Sequence, residues 1–154
     1  MPLFFFLSGM CYRKEKYTSV RRFIKARAKT LLLPYAIFSI ATWVIWALYN
    51  LVLQNEVESY LFPLLQTFIA QGSAGYLIHN APLWFVPCLF VVELLYYFIA
   101  KLPKGLNLLI CVALAVGYRF KPYKIFGLPF SALPFSIDVA FSMLILYAIG
   151  NLFA

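Results

Sequence analysis

Two acids interrupt apolar stretches of this chain: Glu93, within LWFVPCLFVVELLYYFIA at 83–100, and Asp138, in the last apolar run. An ionisable group inside a membrane segment costs a few kcal/mol and marks a proton or substrate site by default. The other reading of Glu93 is a neutral carboxyl sharing hydrogen bonds with a neighbouring helix. Asp138 lies nearer a segment end, where it fits a helix cap or a contact to a polar substrate. The lone histidine, His79, stands near Tyr76, Asn80 and Trp84. A histidine base needs an orienting partner and a nucleophile in reach, and the sequence places neither beside it. An aromatic face and hydroxyl-binding side chains in this group suit a sugar; the same residues also suit an aromatic belt at a membrane interface. Cys11, Cys88 and Cys111 are scattered, with no CxxC pair and no metal-ligand spacing, so no metal site is expected.

The elements that must position these residues are helices in a bilayer. Of 154 residues, 64% are hydrophobic and only 12% charged, about half the charge of an ordinary soluble domain. Such a chain cannot cover its surface with polar groups. The aromatic share of 19% fits interfacial belts as well as packing. The net charge of +8 raises nucleic acid as a partner, but eight of the 13 Lys and Arg lie between Arg13 and Lys29, flanked by apolar runs. That is the placement of cytoplasmic charges in a membrane protein, and no soluble scaffold for a nucleic-acid groove is visible.

The fold class expected is an all-α integral membrane protein, a polytopic helical bundle of about four to five transmembrane segments in a single membrane domain over 1–154. Residues 1–12 form an apolar run too short to span, read as the end of a helix. RKEKYTSVRRFIKARAK at 13–29 has Thr18 or Ser19 as a helix start; Val20, Phe23 and Ile24 share one face, with Arg21, Arg22 and Lys25 mostly on another. This predicts an interfacial amphipathic helix, or equally a basic anchor without a ligand. Residues 30–53 are the clearest span, with Pro34 near the start, where a proline disturbs a helix least. Residues 60–70 predict an interfacial or re-entrant helix, and QGSAG at 71–75 breaks the pattern. Residues 83–100 are a second span, 106–118 a short third, and the last runs from about Leu133 to the end. Placing 13–29 in the cytoplasm puts ten Lys and Arg inside and three outside, the orientation that the positive-inside rule selects.

Several motifs carry a resemblance. MPLFFFLSGM at 1–10, then a basic helix and FIKARAKTLLLPY at 23–35, resembles membrane acyltransferase family 3, and more closely its fucose 4-O-acetylase-related branch. PLWFVPCLFVVEL at 82–94 and YAIGNLF near the end are similar to that branch as well. The resemblance implies transfer of an acyl group, usually acetyl from acetyl-CoA, to a hydroxyl of a sugar or cell-envelope polysaccharide, so that acyl-CoA, the lipid bilayer and a carbohydrate or glycolipid acceptor are the partners. It implies a multi-pass protein of the plasma (inner) membrane with 13–29 cytoplasmic. Arg27 and Lys25 match the family's basic motif, and Arg21 and Arg22 belong to the same helix; the role implied for all four is holding the CoA phosphates, which suit guanidinium forks. Trp84 matches the family tryptophan; with Glu93 and His79 it is the candidate acceptor contact. The family histidine lies upstream of Met1, so the chain is read as an internal fragment without its own catalytic base. Two other readings stay open: a transporter or flippase fragment using Glu93, and a non-catalytic membrane remnant.

Overall fold

A computed structural model describes residues 2–13, 19–54, 57, 59–69, 81–120, 124–125, 128–129 and 134–154. The described helices are α1 (Pro2–Met10), α2 (Val20–Arg27), α3 (Leu33–Val52), α4 (Leu61–Ile69), α5 (Phe85–Ile99), α6 (Lys104–Arg119) and α7 (Ile137–Leu152). A two-residue antiparallel ladder, β1 (Lys124–Ile125) with β2 (Leu128–Pro129), lies between α6 and α7.

The basic helix and the first span are one rod, not an interfacial helix followed by a separate membrane helix. Val20–Val52 is continuous, and its 33 residues reach about 50 Å at 1.5 Å each. Between α2 and α3 the backbone widens into a π-helical stretch, Ala28–Leu32, in which Leu33 N–H reaches back to the Ala28 carbonyl. Pro34 supplies the reason. It therefore sits well inside the rod rather than near a helix start, lacks an N–H, and its ring crowds the carbonyl four residues back. A wide turn just before it relieves that clash. The Thr30 hydroxyl donates to the carbonyls of Ala26 (3.0 Å) and Arg27 (3.3 Å), giving partners to acceptors that the irregular turn disturbs. Ser19 holds the N-cap position of α2, but its hydroxyl makes no capping hydrogen bond.

Val20–Val52 and Pro82–Ile99 are each long and apolar enough to cross a membrane, while Gly105–Gly117 and Val139–Leu152 are shorter apolar helices. Ile37, Phe38, Ile45, Leu48 and Val52 all stand mostly exposed on α3. A contiguous bare apolar surface of this kind belongs in lipid.

α5, α7, α1 and α6 build the core, with Cys88, Val92, Tyr96, Leu144 and Tyr147 buried at its centre. α1 and α7 cross at two glycines. A Cβ on Gly9 would collide with the Tyr147 carbonyl, and one on Gly150 with the Phe6 carbonyl. The two backbones touch there, the small-residue packing typical of membrane helices. α4 packs along the middle of the rod. Tyr35 Oη donates to the Thr67 carbonyl at 2.7 Å, and Trp43 Nε1 to the Tyr60 carbonyl at 2.8 Å, which fixes α4 antiparallel to α3.

Candidate functional site

Phe23 and Arg27 are four residues apart on α2 and so share a face. That face meets α5. Phe23 is fully buried and stacks on Tyr97, ring centroids 4.7 Å apart. One turn along, Arg27 Nε lies 3.1 Å from Glu93 Oε2. Glu93 is 2% exposed, whereas the Arg27 side chain retains 22%. The contact is close but oblique: Arg27 Nε and Glu93 Oε2 do not meet hydrogen-bond geometry along it. The Phe23 ring stands 5.9 Å from the guanidinium carbon, within cation–π range. Tyr147 of α7 also acts on the carboxyl.

A polar and aromatic network surrounds this pair. Tyr12, Tyr96 and Tyr147 pack edge-on or tilted, with centroids between 4.9 and 6.1 Å. Tyr96 Oη donates to Asn151 Oδ1 (2.9 Å) and accepts from Asn107 Nδ2 (3.3 Å). Asn151 Nδ2 donates in turn to the carbonyls of Tyr12 (3.0 Å) and Gly9 (3.3 Å). Side chains from α5, α6 and α7 and the end of α1 thus meet through hydrogen bonds, as buried polar groups in a membrane must. The space beside Tyr96, Asn107 and Asn151 is about 20 Å³, room for a water but not a substrate.

The basic residues divide. At 100° per residue, Arg21, Lys25 and Lys29 form a stripe with Arg22 beside it, on the side of the helix away from Phe23 and Arg27. Arg21, Arg22, Lys25 and Lys29 are all exposed. The four candidate phosphate ligands therefore do not converge: three look outward, and Arg27 faces α5. Trp84 ends a 3₁₀ turn, Ala81–Trp84, and packs partly buried against the core. It stands about 13 Å along the axis from Glu93, so the structure does not join the two. His79, Tyr76 and Asn80 lie outside the described residues. Asp138 is in the first turn of α7, where Ser136 takes the N-cap position. Tyr12, Tyr147, Asn107 and Asn151 are site neighbours that the sequence reading did not single out; two asparagines in apolar helices were the available signal.

A cavity of about 380 Å³ runs between α3 and α4. Its walls are Leu32, Ala36, Ile40, Leu64 and Phe68, and its polar members Tyr35, Trp43 and Thr67 already donate to backbone carbonyls. It has little with which to recognise a sugar.

A family model described as an acyltransferase domain, acyltransferase 3, matches residues 1–154. The chain belongs to the acyltransferase 3 family. Comparison with curated proteins gave no match, and neither did comparison with solved structures. Membership makes the chain a membrane acyltransferase domain and favours the enzyme reading over the transporter. In the acyltransferase domain, Glu93 faces the Arg27 guanidinium rather than standing alone. Arg27 and Glu93 are thus an ion pair set in the polar and aromatic centre of the bundle, with the outward basic stripe beginning on the same helix.

Proposed function

We propose that this acyltransferase uses acetyl-CoA as donor and a hydroxyl of a sugar or envelope polysaccharide as acceptor, in the manner of the fucose 4-O-acetylase-related branch. The acceptor oxygen attacks the thioester carbonyl, an O–C bond forms as the C–S bond breaks, and a base takes the hydroxyl proton and passes it to the departing sulfur, which leaves as CoA thiol. Arg21, Arg22 and Lys25 meet one phosphate group of CoA from the outward face of α2, and Arg27, which does not converge with them, meets another from the α5 side with its partly exposed guanidinium. The exposed basic stripe at the start of a long apolar rod carries this reading. It offers several cations to a polyanionic cofactor at a membrane edge, and guanidinium groups match phosphate oxygens in pairs. In this reading α2 faces the cytoplasm of a plasma (inner) membrane protein, the shorter helices α6 and α7 join the two long ones as further spans, and α1 is the end of another, giving four to five in all. Trp84 and His79 would serve the acceptor from the opposite side.

The test uses the full encoded chain in membrane vesicles with radiolabelled acetyl-CoA. Label should pass to the glycan fraction, and changing Arg21, Arg22 and Lys25 together to Gln should raise the KM for acetyl-CoA about a hundredfold, each lost phosphate contact contributing roughly 1 kcal/mol. Unchanged donor affinity in that variant removes the stripe from the donor site. Label in protein or lipid but not glycan overturns the acceptor class.

A further inference from the structure

Arg27 is gripped on two sides. Glu93 lies against its Nε, and Phe23, fixed by its stack on Tyr97, lies by its guanidinium. The π-helical stretch begins with the very next residue. Such stretches often occur at functional sites, where they alter the direction in which side chains leave the helix. Glu93 is too deeply buried to meet a ligand at the helix surface, whereas the 22% exposure of Arg27 leaves its guanidinium within reach of one. We propose that Glu93 is a positioning residue for the donor: it holds Arg27 in the orientation in which the guanidinium meets the CoA phosphates. This rests on the donor reading above. A loose arginine loses its rotamer freedom on binding; one already pinned by a carboxylate and a ring does not, so pinning strengthens binding without adding a contact to the ligand. The carboxylate also compensates the arginine's charge in the bundle when the donor has left.

Acetyl-CoA binding by the full chain in lipid nanodiscs tests this, with Glu93→Gln, Arg27→Ala, the double variant and Arg27→Lys compared, and melting temperature followed in each. Glu93→Gln should weaken binding about tenfold, the scale found when a supporting partner of a ligand-binding group is removed. The double variant should bind no worse than Arg27→Ala alone, because Glu93 acts only through Arg27. Losses that multiply in the double variant overturn the positioning role, as does wild-type binding by Glu93→Gln when Arg27→Ala binds weakly. If Arg27→Ala itself binds normally, the donor reading of Arg27 fails first and takes this proposal with it. Should Glu93→Gln fail to fold, Arg27→Lys decides: it keeps the charge but lacks the planar group that Glu93 orients, so weakened binding is expected and wild-type binding overturns the role.

Discussion

Arg27 Nε stands 3.1 Å from Glu93 Oε2, so the rod and α5 are joined by a buried ion pair as well as by the Phe23–Tyr97 stack. Removing one partner of such a pair strands the other. Glu93→Leu should destabilise the domain by about 2–4 kcal/mol, somewhat below the full range for buried pairs because Arg27 is partly exposed. Replacing both, Arg27→Met with Glu93→Leu, should recover most of that loss. Thermal unfolding in a mild detergent measures both; a double variant as unstable as Glu93→Leu would show that the charge itself was not the problem.

The glycine crossing gives a sharper contrast. Gly9→Ala or Gly150→Ala must push α1 and α7 apart, because the new methyl group meets backbone rather than a movable side chain. Overpacking of this kind costs about 1–3 kcal/mol or more. Gly105→Ala meets nothing within 4 Å and should be neutral or stabilising by up to about 1 kcal/mol, the helix-propensity gain over glycine. Melting temperatures of the three variants, in one detergent, check the ranking.

Asn151 is the hub of the polar network, donating to Gly9 and Tyr12 and accepting from Tyr96. Asn151→Leu should lower stability by about 1–3 kcal/mol through the buried groups it leaves unpaired. Tyr96→Phe should cost less, since a single membrane hydrogen bond averages roughly 0.6 kcal/mol. The two effects should be non-additive in a double-variant cycle, as expected for members of one network.

α4 is tied to α3 by Tyr35 and Trp43. Tyr35→Phe and Trp43→Phe should each loosen α4 by about 0.5–1.5 kcal/mol while leaving the α5–α7 core intact. Hydrogen exchange should speed up in residues 61–69 and stay unchanged in 85–99.

Much of the helix content was legible because apolar runs of about 20 residues have few alternatives. Residues 30–53 and 83–100 are recovered in the two long helices, and 60–70 in α4. The join at Ala28–Leu32 was not legible: a change from basic to apolar residues reads as a boundary, and only the backbone shows the helix running through it. The basic cluster was misleading in a different way. Arg21, Arg22, Lys25 and Arg27 are neighbours in sequence, but helical rotation sends Arg27 to the other side, and the four-residue step from Phe23 to Arg27 held that information. The partner of Glu93 could not be read at all, because no spacing rule links residues on helices so far apart along the chain.

The glycine crossing also bears on how the molecule is made. α1 is the first described helix to leave the ribosome and α7 the last, so the surface around Gly9 has no partner until Gly150 arrives. At translation rates of about 5–20 residues per second, that interval is on the order of ten seconds. Throughout it, the backbone seam of α1 lacks the α7 surface that covers it in the folded bundle. Closing this seam therefore waits until Gly150 has been made, and a chain released before α7 is complete would present the seam to the quality-control proteases of the membrane.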